Sequence, residues 1–140
     1  MKIIRELLRI IAITMQYYWI TVAYGMKISK SARISFGAVL DKTYPRGINI
    51  DNESYVASGA IIFTHDFCRS IRTNTYIGKR CFIGANAIIM AGIRLGDEVI
   101  VGSGAIVTKD IPSNCIVAGN PAVIIKKNIR TKKYGQLITA

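Results

Sequence analysis

Histidine is nearly missing from this chain, and acidic residues are scarce. One histidine, His65, stands among 140 residues, so no metal site built from several imidazoles can form within a chain. Eight Asp and Glu face nineteen Lys and Arg, a formal charge of +11. That balance favours acidic partners such as phosphates, nucleic acid or an anionic membrane; a solvated basic surface is the plain alternative. The three cysteines, Cys68, Cys81 and Cys115, have no metal-ligand spacing. An odd number without a framework fits a reducing compartment. Aromatic residues are not interleaved with the basic ones along most of the chain, as a single-strand nucleic-acid binder would require. No linker is visible, and the length implies one domain.

What the chain has is a beat of six. Ile71, Ile77, Ile83, Ile89, Leu95, Val101 and Val107 fall six apart without a gap. Four residues after each come Thr75, Cys81, Ala87, Ile93, Val99, Ala105 and Ile111, all small or apolar. Six is neither the helical period nor the strand period. It suits a solenoid that turns a corner every sixth residue and points one aliphatic side chain inward each time. Gly and Asn recur between the leads, as at Gly78, Gly84, Asn86 and Gly104, and tolerate the positive φ that corners need. Cys81, at an inward position, reads as a small core side chain.

The beat starts earlier, with Ile28, Ile34 and Leu40, then Ile50, Val56 and Ile62. Four residues are inserted between Leu40 and Ile50, around 41–47. Three are inserted between Ile62 and Ile71, around 67–70. Three hexads to a coil then give slightly more than four coils. Insertions in a solenoid bulge outward, often on the binding face.

Three segments follow: an N-terminal helix over 1–26, a repeat domain over 27–125, and a basic, partly ordered tail over 126–140. Leu7, Ile10, Ile11, Thr14 and Tyr18 keep helical spacing and predict a helix from about residue 2 to 22. It reads first as a cap over the open end of the solenoid. A second reading is an interfacial helix with Tyr17, Tyr18 and Trp19 at a lipid boundary. A span or signal peptide fits least, because Gln16 breaks the apolar run short of the ~20 residues needed.

From about Ile48 to Lys127 the chain resembles the hexapeptide-repeat acyltransferases of the maltose, galactoside and capsule O-acetyltransferase group. The matching words are Thr64-His65-Asp66, Phe82-Ile83-Gly84-Ala85-Asn86-Ala87, Ala91-Gly92-Ile93-Arg94-Leu95-Gly96-Asp97, Val101-Gly102-Ser103-Gly104-Ala105-Ile106-Val107-Thr108-Lys109-Asp110 and Ala118-Gly119-Asn120-Pro121-Ala122. Tyr44-Pro45-Arg46-Gly47 looks most like members from polysaccharide clusters. The resemblance implies an all-β fold, a left-handed parallel β-helix preceded by an α-helix. It implies an O-acetyltransferase that moves acetyl from acetyl-CoA to a sugar or polysaccharide-precursor hydroxyl, with His65 as general base and no metal. The carbonic-anhydrase branch of the fold is set aside, because it needs three His ligands.

The resemblance also implies a homotrimer with the pantetheine arm in a groove between subunits. Ala85, Ser103, Thr108 and Lys109 match the coenzyme positions, and Lys126 the position near its phosphates. The acceptor-binding Asn and Asp of the galactoside and maltose enzymes find no alignment here. Direct transfer needs one base and no acyl-enzyme, since the cysteines match no nucleophile position. Asp66 is one candidate to orient His65; a backbone carbonyl is the plainer one, because adjacent residues of an extended chain point apart. The alternatives are an amino-sugar N-acetyltransferase and a non-catalytic basic scaffold. A cytosolic donor places the active site in the cytoplasm, with membrane association through the helix left open.

Overall fold

The computed structural model describes residues 1–139. The first coil is β1 (Lys27–Ile28), β2 (Arg33–Ile34) and β3 (Val39–Leu40). The second is β4 (Ile48–Ile50), β5 (Tyr55–Val56) and β6 (Ile61–Ile62). A hairpin follows, β7 (His65–Asp66) and β8 (Ile71–Arg72). Two more coils are β9 (Thr75–Ile77), β10 (Phe82–Ile83), β11 (Ile88–Ile89), and β12 (Arg94–Leu95), β13 (Ile100–Val101), β14 (Ile106–Val107). First strands stack on first strands, second on second and third on third, and each pairing is parallel. The body is therefore a three-faced prism of parallel strands, held from coil to coil by backbone bonds such as Gly84 N–H to the Val101 carbonyl at 2.8 Å.

The hexad leads fill its axis. Val56, Ile62, Ile83, Ile89, Val101 and Val107 have no accessible surface, and the fourth residue on is buried from Thr75 through Ile111. Each such side chain contributes about 1.5–3 kcal/mol by leaving water. Cys81 is packed in that axis with no exposure.

Ile71 breaks the count. It belongs to β8, pairs antiparallel with Asp66, and is only half-buried. The stack resumes at Thr75–Ile77 beneath Ile48–Ile50. The expected three-residue insertion is therefore nine residues, since Ile62 and Ile77 lie fifteen apart and the beat is six. The sixfold spacing of Ile71 to Ile77 is a coincidence that any surface aliphatic can supply.

The corners also differ in kind. Asn86 and Gly104 line one edge of the prism at positive φ, as expected, together with Gly59, whereas Gly78 and Gly84 do not adopt it. The edge between the first and second faces instead places Glu53, Arg80 and Glu98 at φ 58, 52 and 55. Left-handed backbone costs such residues about 1–2 kcal/mol. Ion pairs offset part of that: Arg80 Nε donates to Glu53 at 2.8 Å, and Arg130 Nε to Glu98 at 3.0 Å. Gly84 is needed for closeness rather than for φ. A Cβ there would lie 2.7 Å from the Ser103 nitrogen and the Val101 oxygen of the next coil.

The C-terminal segment folds back onto the body. β15 (Cys115–Ala118) extends the second face, and β16 (Val123–Lys127) turns back antiparallel against it. Residues beyond return to the charged edge. Ile129 and Thr131 are buried, and the Thr131 hydroxyl donates to the Arg80 carbonyl at 2.7 Å. A small hairpin, β17 (Thr131–Lys132) with β18 (Gln136–Leu137), closes the segment. Basic side chains remain on its outside, as the sequence suggested, but its backbone is clasped to the body.

The helix α1 (Lys2–Tyr18) widens into a π turn at Trp19–Ala23, close to the expected bounds. It buries no residue. Only its end meets the prism, where Ile20 and Tyr24 pack on the core and the Tyr17 hydroxyl reaches the Ile28 carbonyl at 3.4 Å. The cap expected of the whole helix is thus confined to its last turns. No helix among the described residues is long and apolar enough to cross a membrane.

Candidate active site

Two insertions leave the prism one above the other. Leu40 of the first coil is the register partner of Ile62 in the second, so the loop after Leu40 lies beside the hairpin after Ile62. That stacking brings Asp41 to His65, twenty-four residues away. The Asp41 carboxylate is almost wholly buried and fully engaged. Its Oδ1 accepts the Thr43 N–H at 2.9 Å. Its Oδ2 accepts the N–H groups of Thr64 at 2.9 Å and His65 at 3.1 Å. The same oxygen meets His65 Nδ1 at 2.5 Å.

Burial alone would raise the Asp41 pKa. The Thr64 N–H, the His65 ring and the Thr43 N–H outweigh it and hold the carboxyl below its usual 3.8. An ionised Asp41 accepts a hydrogen bond from Nδ1–H, which leaves the lone pair of the neutral ring on Nε2. The His65 side chain is 29% exposed against 4% for Asp41, so one face of the ring is anchored and the other reaches solvent. Threonines stiffen the support. The Thr64 hydroxyl donates to the Tyr44 carbonyl at 2.7 Å, and the Thr75 hydroxyl to the Phe63 carbonyl at 2.6 Å.

The ring opens into a surface cleft of about 680 Å³ lined by Thr43, Asp66, Phe67, Ser70, Ile71 and Arg72. A larger trough of about 880 Å³ runs along the first face past Asn49, Tyr76 and Arg94 without reaching His65, and is lined by the carboxylates of Asp51, Asp97 and Asp110 but by no imidazole. Asp66, one of the two orienters considered, is taken by its own hairpin: Arg69 Nε binds it at 2.7 Å. The backbone carbonyl is not the orienter either. Asp41 takes that place. Its signal in the sequence is positional: the first aspartate of one insertion, one coil before the histidine of the next.

Four of the five matched coenzyme positions fall on two edges. Ala85 and Ser103 are stacked at the edge between the second and third faces, where Gly104 N–H bonds the Ala85 carbonyl at 2.9 Å. Thr108 and Lys109 leave the third face at the other edge, two coils beyond His65, and are exposed. Lys126 sits on β16 opposite Ile116, also exposed. One chain does not gather the five; it presents two separate halves.

Two of the three thiols are packed out of reach of an acyl donor. Burial pushes the Cys81 thiol up to about 12, so it stays protonated, and Cys115 is buried. Cys68 is exposed. In the folded protein one of three cysteines is expected to react rapidly with a thiol reagent, and denaturant should release the other two; three fast thiols would contradict this packing.

Comparison with known proteins adds kinship to this geometry. Residues 75–109 match the hexapeptide-repeat model described for succinyl-transferase, beginning where β9 begins. YvoF of Bacillus subtilis (strain 168), a candidate acetyltransferase, is 30% identical over 102 residues, which are 71% of this chain and 59% of YvoF. Across the first curated relatives the chain spans between 19% and 59% of their length. The structure of a maltose O-acetyltransferase from Clostridium difficile 630 superposes with a TM-score of 0.56 at 27% identity, covering 72% of this chain and 68% of that one. That of the polySia-specific acetyltransferase NeuO gives 0.50 at 29%, covering 78% and 51%. The chain is thus built of stacked hexapeptide repeats, and the proteins it is similar to are named as acetyltransferases.

Proposed function

We propose that the protein is an acetyl-CoA-dependent O-acetyltransferase acting on a sugar or polysaccharide-precursor hydroxyl. The observation that carries this reading is the single imidazole at a cleft, its Nδ1 held 2.5 Å from a buried carboxylate. Two of the similar proteins have saccharide acceptors in their names, maltose and polySia. The coil is taken as left-handed by the same resemblance.

Acetyl-CoA, when bound, supplies an acyl group already activated as a thioester. His65 Nε2 accepts the proton of the acceptor hydroxyl as that oxygen bonds to the thioester carbonyl. His65 then returns the proton to the sulfur as the carbon–sulfur bond breaks, and ester and thiol leave with the ring neutral again. Asp41 stabilises the imidazolium between the two transfers and keeps the ring in one orientation. Lys109 and Lys126 offer charge to the coenzyme phosphates. Ala85, Ser103 and Thr108 are small enough to admit the pantetheine arm. Since the two edges are separate on one chain, the groove needs two chains, and a homotrimer supplies it.

Thiol release from acetyl-CoA across a panel of sugars and amino sugars tests the reading. A product whose acetyl group is removed by mild base, as an ester is, supports O-transfer. Amide products alone would assign N-transfer, and no release with any acceptor would remove the enzyme. Light scattering that finds a fully active monomer would remove the shared groove.

A further inference from the structure

We infer that α1 seats the protein on an anionic membrane surface, and that the acceptor served by the His65 cleft is carried on that surface. The second half rests on the transferase reading above; the first does not. The helix has a wide apolar side with nothing on it. Ile3, Ile4, Leu7, Leu8, Ile11 and Met15 are 46–83% exposed, and Trp19 and Val22 continue the side at 60% and 75%. At 100° per residue these side chains cover about half the cylinder. A partner helix would need only a narrow seam of them, whereas a bilayer interface takes up the whole side.

The other side carries Lys2, Arg5, Arg9 and Gln16, with Glu6 as its one acid. The charge continues past the helix. Residues 1–50 hold eight Lys and Arg against two acids, and one of these, Asp41, is buried against His65. An anionic headgroup layer complements that end of the molecule. Tyr18 and Trp19, exposed at the end of the helix that meets the prism, are the residue types that settle at the lipid–water boundary. Since no helix among the described residues is long and apolar enough to cross, α1 would lie along the surface.

The helix end is wired to the candidate active site. Trp19 packs edge-on against Tyr24 at 5.7 Å, and the Lys42 ammonium lies 5.3 Å from the Tyr24 ring centre. Lys42 directly follows Asp41. Asp41 belongs to the coil next to the helix and His65 to the one after it, and coils stack roughly 4.8 Å apart. A surface bound by α1 therefore lies at the end of the prism nearer the cleft. A freely diffusing sugar has no need of that placement, but a glycan on a lipid carrier does.

Flotation of the full-length protein decides the docking. We expect it to rise with vesicles of 70% phosphatidylcholine and 30% phosphatidylglycerol, and at least tenfold less with phosphatidylcholine alone. The double variant Leu7→Glu, Ile11→Glu should stay at the bottom with an unchanged melting temperature, because both positions are exposed. Failure of the wild type to float with anionic vesicles would overturn the docking. So would a variant that floats normally but loses its oligomeric state, for then a second copy covers the helix. Acetyl transfer decides the acceptor. The double variant should keep its rate on a soluble saccharide and lose at least tenfold on a glycolipid in vesicles. Equal rates on both would overturn the membrane-borne acceptor. Flotation without transfer to any acceptor would sink the transferase reading, and the acceptor half with it, while the docking stands.

Discussion

Replacing His65 by alanine is expected to lower kcat for acetyl transfer by about 10²–10⁴-fold, the usual worth of a positioned general base. The KM for acetyl-CoA should change little, because the imidazole acts on the reacting atoms and is assigned no contact with the pantetheine arm or the phosphates. The fold should survive. The ring is partly exposed and its neighbours are tied by other bonds, among them Thr64 N–H to Asp41 and the Thr64 hydroxyl to Tyr44. A steady-state comparison with a thermal melt checks both points. Loss of activity with loss of fold would say nothing about base catalysis, so the glutamine variant is the companion. It keeps a hydrogen-bonding side chain of similar reach but cannot cycle a proton, and should be as inactive as alanine.

Asp41→Asn should act on both rate and stability. The carboxylate faces three backbone N–H groups and the ring nitrogen, all donors. An amide has one acceptor oxygen and brings two donors of its own, so at least one buried donor loses its partner, at about 1–3 kcal/mol. The rate should fall by about 10–10³-fold in kcat while KM for acetyl-CoA holds, which separates a positioning role from a binding one. The pH dependence has a definite sign. Because the folded carboxyl lies below 3.8, its ionised form stabilises the fold at neutral pH, and that stabilisation is lost as pH falls from the usual carboxylate range through the lower folded value. The wild type should therefore lose part of its advantage over Asp41→Asn between neutral pH and the region under 3.8, read by urea unfolding at each pH.

The prism was legible because its information is local. Each inward aliphatic repeats six residues on, so Ile77, Ile83, Ile89, Leu95, Val101 and Val107 could be placed without any distant contact. Ile71 was misplaced by the same rule, because a count of six cannot tell a core lead from an aliphatic on a hairpin; only the antiparallel pairing of Asp66 with Ile71 separates them. Asp41 was not legible. Its partnership with His65 depends on two insertions of different length stacking at one edge, and the sequence states their lengths but not their juxtaposition. The charged left-handed corners Glu53, Arg80 and Glu98 escaped for a related reason, since their strain is offset by one another and by Arg130 from the C-terminal segment.

Base catalysis here requires one ring in one tautomer, and the chain's lone histidine makes that ring directly observable. Long-range ¹H–¹⁵N correlation spectra of ¹⁵N-histidine-labelled protein at neutral pH would show a single imidazole. We expect the proton of the neutral ring on Nδ1, bonded to Asp41, with Nε2 bare, and the preference lost in Asp41→Asn. A proton on Nε2 in the wild type would leave no base facing the cleft and would contradict the mechanism.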